Sequence, residues 1–448
     1  MNWYGRKTLY TLFAFSTITI TQESKAQVSV NSGYDPNKVN TITTAVPFLR
    51  ISTDTRQGGM GDVGIAMAPD AGGAQANAAK MAFIDKDFGV SLSFTPWLKS
   101  LVDDIYLANI SGYGKIKDKQ TIQASLKLFS LGSINFRDEN NNDLGTRKPF
   151  EMAIDAGYSR KFGDVFSLGV TLRFIYSNLA SGLTSNGEVI QTGIAGAGDI
   201  SWLVHKTFAG KGKMSHELYA GMNLSNLGSK ITYTSSTTKD FIPANMGIGL
   251  GYVYNVNEKH QLGLYFDLNR LLVPTPVTGA DLYSDVSKKT IKPEFDKNAN
   301  GVPDYKEASS IQGVFRSFGY APGGSAEKFK ENMYSIGLEY MYKKMFGVRA
   351  GYYYEHPTKG ARQFLTVGAT VKYSVASLHL SYLVPTTSLR NPLDNTFRFT
   401  LNFEFSKGAK KKTGEEVSTS NEQMPTELKP AKKKQQQIAP AGEEIKKE

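Results

Sequence analysis

Residues 395–405, NTFRFTLNFEF, alternate without a slip: Phe397, Phe399, Leu401, Phe403 and Phe405 fall on one side, and Thr396, Arg398, Thr400, Asn402 and Glu404 on the other. A period of two marks a strand with one apolar and one polar face. From Lys86 onward the pattern recurs in fourteen segments: 87–95, 104–114, 120–132, 150–161, 164–177, 193–206, 216–226, 244–255, 260–273, 333–344, 347–356, 363–374, 376–384 and 395–405. Each is close to the roughly 9–11 residues that a tilted strand needs to cross a bilayer, or somewhat longer.

A half-buried soluble strand and a membrane-barrel strand share this alternation, so the connections must separate them. Every second connection is tight: KIKDK, Phe162-Gly163, NVNEK, Met345-Phe346 and the single residue Val375, with KTFAGKGKMSH looser. The connections between them are longer, from HPTKGAR up to the insert 274–332. Bacterial barrels keep short periplasmic turns and longer external loops, and a soluble sheet has no reason to. The faces agree. Phe166, Leu168, Val170, Leu172, Phe174 and Tyr176 oppose Ser167, Thr171 and Arg173; Tyr334, Ile336, Leu338, Tyr340 and Tyr342 oppose Ser335, Glu339 and Lys343. Arg or Lys turned to lipid at the midplane costs about 2–4 kcal/mol, so the charged face belongs to the lumen. Tyr254, Tyr342 and Tyr354, near strand ends, suit interfacial girdles.

The predicted fold is therefore all-β: a 14-stranded antiparallel transmembrane β-barrel over 87–405, with an N-terminal plug-like segment over 27–86 and a disordered C-terminal tail over 406–448. The plug assignment rests on glycines at 58, 59, 61, 64, 72 and 73, whose entropic cost disfavours regular helix or strand. The tail is Lys, Glu, Gln and Pro without apolar content to bury. Residues 1–26 read as a secretory signal: Arg6 and Lys7, then the apolar stretch Leu9–Ile20, then Ser24-Lys25-Ala26 as cleavage site. Strand parity places both termini in the periplasm and the barrel in the outer membrane.

Composition sharpens this picture. A mean hydropathy of -0.32 excludes a bundle of membrane helices, while 23 Tyr, 25 Phe and 43 Gly fit a β-rich chain. No cysteine is present, which excludes a lipoprotein anchor, disulfides, thiolate metal sites and a Cys nucleophile. The net charge of +11 is spread along the chain with Lys clusters mainly in the tail, and gives no argument for nucleic acid.

One local motif carries candidate chemistry. DKNANGVPDYKE, 296–307, has calcium-loop spacing: Asp296, Asn298 and Asn300 as oxygen donors, Gly301 for the turn, the Val302 carbonyl, Asp304, and Glu307 to close the shell. No amphipathic helices are expected to flank it, so a structural Ca²⁺ of the weak extracellular class is the expectation, against a solvated Asn/Asp/Gly turn. No catalytic residues are assigned. His205, His216, His260, His356 and His379 lie on different strands or their ends, beside neither a G-x-S-x-G elbow nor an H-E-x-x-H pair. RQGGMGDVG lacks the G-K-[ST] of a phosphate loop.

The strings NTITTAVPFLRISTDTRQGGMGDVGIAMAPD, FGVSLSFTPWLKSLVDDIYLA, FIYSNLASG, KDFIPANMGIGLG and DLNRLLVPTP resemble the PorV family of outer-membrane components of type IX secretion, from about Thr41 to Phe405. The resemblance implies a barrel like that of long-chain fatty-acid transporters and a non-enzymatic role as a shuttle. Its implied partners are the outer-membrane translocon barrel, the C-terminal signal domains of secreted cargo, a surface sortase, and outer-membrane lipid or lipopolysaccharide. The alternatives are an outer-membrane transporter of hydrophobic small molecules and a lipopolysaccharide deacylase. Cargo binding would fall to the external loops, with the insert 274–332 and the loop around Trp97 and Leu98 as candidates. The chain departs from the family at Asn77-Ala78-Ala79, where an Asn-Pro-Ala turn is usual.

Overall fold

The computed structural model describes residues 39–96, 104–138, 140–185, 188–234, 239–277, 282–285, 290–319, 321–387 and 396–406. The signal segment 1–26 and the tail beyond Ser406 lie outside the described residues. Fourteen antiparallel strands form a closed barrel. They are β1 (Phe88–Pro96), β2 (Ile105–Lys117), β3 (Gln120–Leu131), β4 (Phe150–Phe162), β5 (Phe166–Asn178), β6 (Gly193–Ala209) and β7 (Ser215–Gly228). The ring continues with β8 (Asn245–Asn255), β9 (His260–Leu271), β10 (Asn332–Tyr342), β11 (Phe346–Glu355), β12 (Gln363–Tyr373), β13 (Ala376–Pro385) and β14 (Phe397–Phe405). β14 pairs back onto β1 from Phe88↔Phe405 to Phe94↔Phe399. Every strand predicted from alternation is present. The connection expected to be loose, 210–214, is also short, because β6 and β7 run on into it.

The two faces follow the sequence. Along β5 the lipid-side Leu168, Val170, Leu172 and Phe174 are exposed, and the lumen-side Ser167 and Thr171 are buried. On β14 the Arg398 side chain is buried to 1% exposure while Phe397 and Phe399 stand outside. At the tight-turn rim His216 stacks with Tyr254 at 5.0 Å and His260 lies 5.3 Å from Tyr342, an aromatic girdle of flat rings.

The long connections hold structure that strand periodicity did not reveal. Ile134–Arg137 and Asp143–Arg147 form an exposed hairpin in the connection from β3 to β4. The insert between β9 and β10 carries a small hairpin (Tyr283–Asp285 with Thr290–Ile291) and three short helices, Asp304–Glu307, Ser310–Arg316 and Gly324–Lys330.

Inside the barrel runs the segment 39–87, broken into a turn of 3-10 helix at Pro47–Arg50, one α-turn at Thr55–Gly58, and 3-10 helix at Gly73–Gln75 and Ala78–Phe83. It runs the length of the lumen. Asn40 N donates to Thr358 O (2.9 Å), and Ala45 N to Phe241 O (2.9 Å), both in long connections. At the other end Asp87 N donates to Phe405 O at 2.8 Å, and Lys115 N to Asp87 O at 2.7 Å. Residue 39 and Phe405 therefore stand at opposite rims. Strand parity counts strands only, and this lumenal segment adds one more crossing between residue 39 and β1.

Candidate functional site

Layers of contrasting chemistry fill the lumen between the long-loop rim and the turns. The outermost is apolar. Val46, Phe48 and Leu49 sit in a collar of lumen-facing side chains from the loop ends of the strands, among them Leu107, Phe129, Ile175, Met333, Phe364 and Leu383. Phe48 is fully buried and its ring stacks at 6.4 Å on Phe129. Below the collar lies a cavity of about 150 Å³ bordered by Arg50, Ile51, Asp62, Lys127, Asn223 and Asp267, a lining suited to water. The Lys127 ammonium donates to the Ile51 carbonyl at 3.1 Å.

The middle layer is ionic. Asp54 caps the turn Thr55–Gly58 by accepting from Arg56 N at 2.9 Å. That turn aims the Arg56 guanidinium at Glu339 (2.8 and 3.0 Å) and Asp70 (2.9 Å). Arg349 on β11 donates to the same Glu339 at 2.7 Å. Arg398 on β14 pairs with Asp62, and Arg173 on β5 is shared by Asp155 (2.7 Å) and Asp199 (3.2 Å). Buried charges persist when paired and hydrogen-bonded, and each of these four arginines, Arg56, Arg349, Arg398 and Arg173, meets a carboxylate.

Irregular backbone at membrane depth survives only where protein satisfies it. The wall does so with short polar side chains: Asp267 accepts from Gly64 N and Ile65 N (2.7 and 3.0 Å), Thr366 from Gly61 N (2.8 Å), and Ser167 donates to Ala79 O (2.8 Å). Close approach also requires missing side chains. A Cβ on Gly351 would stand 2.1 Å from the Met60 carbonyl carbon. The departure at Asn77 is accommodated without proline: its side chain accepts from Ala79 N (2.9 Å) and donates to Ile65 O (3.0 Å) and Trp202 O (3.1 Å).

Outside the lumen, the insert is tied to the rim by a buried cluster. Glu331 accepts from Thr275 (2.5 Å), Lys328 (3.3 Å) and Arg270 (3.3 Å). Glu327 pairs with Lys359 and accepts from Gly323 N (2.7 Å) and Asn40 Nδ2 (2.8 Å). Burial works to raise the Glu327 carboxyl, but the Lys359 ammonium and the Gly323 N–H hold it below the usual carboxylate range. Burial pulls the Lys328 ammonium down. Some apolar side chains of the insert stand unburied: Ile311 and Phe315 are each 73% exposed, and Phe329 72%. Large apolar side chains exposed on short helices of a long connection are a feature to account for.

The sequence-derived site residues fall as follows. Trp97 and Leu98 lie outside the described residues. In the 296–307 loop, Asp296 accepts from Asn300 N (3.0 Å) and Gly301 N (2.8 Å), and Gly301 takes φ +80°. The Asn298 amide donates to Glu307 at 2.9 Å, the Asn300 amide also meets Glu307, Val302 N donates to Asn300 Oδ1 (2.9 Å), and Asp304 accepts from Lys297 N (3.2 Å). The loop brings the predicted donors into one turn, but its carboxylates are engaged by its own N–H groups. Among the described residues no group of three or more His, Asp or Glu side chains gathers as a metal site. Contrary to expectation, helices do adjoin the loop: Asp304–Glu307 holds its last two acids, and Ser310–Arg316 follows. The capping box Ser309–Gln312 that starts the latter is a signal present in the sequence.

The histidines do not assemble a catalytic set. His205 pairs with Glu217 (3.1 Å), which also accepts from the Tyr219 hydroxyl (2.6 Å), beside Phe83 of the plug. His379 sits among Thr370 (2.7 Å), Ser377 (3.2 Å) and Asn402 (3.3 Å). One cluster has the carboxylate and the other the aliphatic hydroxyls, so neither joins nucleophile, base and orienting acid.

A family model described as "Type IX secretion system protein PorV" matches residues 34–278. Similar solved structures include the toluene transporter TodX of Pseudomonas putida, at 11% identity over 82% of this chain and 98% of that one with a TM-score of 0.39. They include the toluene transporter TbuX of Ralstonia pickettii (10%, 78% and 97%, TM-score 0.38) and a FadL homologue of Pseudomonas aeruginosa (12%, 82% and 100%, TM-score 0.37). No curated protein sequence matches the chain.

Proposed function

Because the chain belongs to the PorV family of type IX secretion system proteins, we propose that it is a non-enzymatic outer-membrane shuttle. It docks at the translocon barrel, receives cargo by its C-terminal signal domain, and delivers it to the surface sortase for attachment to lipopolysaccharide. In this reading the tight turns face the periplasm and the long connections face the cell exterior. The observation that carries it is where the molecule is filled and where it is open: chain occupies the lumen, while Ile311, Phe315 and Phe329 stand unburied on the insert. A transporter of hydrophobic molecules needs an apolar path, and the cavity beneath the collar is edged by Arg50, Asp62, Lys127 and Asp267.

The test is cargo display in cells carrying Ile311→Asp with Phe315→Asp. Loss of signal-bearing cargo from the surface, with the barrel still folded, supports docking at the insert. Normal display in cells lacking the whole protein would sink the shuttle reading, and a change confined to lipid A acylation would favour the deacylase. For the 296–307 loop we propose a structural Ca²⁺ held by Asp296, Asn298, Asn300, the Val302 carbonyl, Asp304 and Glu307, after the amides turn their oxygens inward. Chelator should then speed proteolysis of the insert in the native protein and leave Asp296→Ala unchanged. Identical cleavage of the native protein with and without chelator rejects the ion.

A further inference from the structure

We infer that the amino-terminal segment enters the barrel from the long-loop face and is clasped there by the insert, so that Val39 and the insert form one continuous exterior surface. The path is fixed at both ends by named contacts. At the long-loop rim Asn40 donates three ways: its backbone N–H goes to Thr358 O at 2.9 Å, and its side-chain Nδ2 to Pro276 O at 3.0 Å and Glu327 Oε1 at 2.8 Å. At the opposite rim Asp87 N meets Phe405 O, and Lys86 Nζ reaches Ser406 Oγ at 3.2 Å.

The clasp is a built site. Glu327 and Glu331 are both buried, on and just after the helix Gly324–Lys330, and Lys359, Lys328 and Arg270 supply the opposing charge. Asn40 is the neutral donor that completes the Glu327 shell, so strap and insert share one buried carboxylate. Val39, next to it, is 68% exposed.

A partner seated on the insert would also meet the residues about Val39. Only the naming of that face as external rests on the orientation proposed above.

The chain has no native cysteine, so single cysteines report position directly. Val39→Cys is compared with Lys239→Cys, on a long connection, and Asp164→Cys, in the tight turn from β4 to β5, using a bulky membrane-impermeant maleimide on intact and on permeabilised cells. Each variant is first checked for a folded barrel by its heat-modifiable gel mobility. Val39→Cys and Lys239→Cys should label in intact cells, and Asp164→Cys only after permeabilisation. The reverse, with Asp164→Cys labelled and the other two protected, keeps the threading and overturns the orientation. Any result in which Val39→Cys parts from Lys239→Cys, or matches Asp164→Cys, overturns the threading.

Discussion

The loop-end collar and the ionic layer beneath it close the same lumen by opposite means. The collar seals with Val46, Phe48 and Leu49 against apolar side chains, a contact that is non-directional and leaves no unmatched charge when it parts. The ionic layer seals with Arg56, Glu339, Arg349, Asp62 and Arg398, each position set by a partner, and displacement strands a charge in a dry interior. The collar is therefore held by shape alone, while the middle of the plug is held by specific pairs.

That contrast can be broken from either side. The most severe change is Gly351→Val, which places a side chain where Met60 backbone already lies; it should abolish the heat-modifiable folded band. Glu339→Ala takes the only paired carboxylate from Arg349 and leaves Arg56 with Asp70 alone; it should cost about 3–5 kcal/mol, read as a lower unfolding midpoint in denaturant. Phe48→Ala should cost about 3 kcal/mol. Unlike Glu339→Ala, it should raise entry of large hydrophilic antibiotics while the ionic layer stays intact; unchanged permeability would remove the collar's role as a seal. Asn77→Ala removes a cap on the 3-10 turn and the amide bonds to the Ile65 and Trp202 carbonyls, and should cost about 2 kcal/mol by the same denaturant measurement.

The smallest effect concerns the clasp and is set by pH. Glu327 faces Lys359, Asn40 and the Gly323 N–H, with Glu331, Lys328 and Arg270 beside it. A carboxyl held low in the folded state stabilises it above the unfolded value, about 4.3 for Glu, and loses that contribution as pH falls through the folded value. Proteolysis of the insert by an acid-active protease should accelerate below about pH 4, and Glu327→Gln should flatten that dependence.

How much of this was legible in the sequence varies by layer. The strands were, because lipid on one side and a polar lumen on the other enforce a period of two that nothing else in the chain imitates. Glu339, Arg349 and Arg398 could be assigned to the lumen from that period, but their partners Arg56 and Asp62 could not, since the plug has no period to follow. The course of the lumenal segment was hidden for the same reason: Asn40 finds Glu327 across most of the chain, and no local pattern encodes that meeting. The insert's helices escaped because they are four to seven residues long, although Ser309 and Gln312 announced one of them.

The unequal width of the strand ladders has a mechanical consequence. β4 and β5 are zipped along thirteen residue pairs, from Phe150↔Asn178 to Phe162↔Phe166, whereas β14 is held by seven on each flank. Under a pulling force, tearing starts where the fewest bonds share the load, and here that is the last strand. A tug on the chain beyond Phe405 would peel β14 first, like the loose stave of a cask, with Arg398 on Asp62 and Thr400 on Thr55 as the rivets to the lumenal segment that resist it.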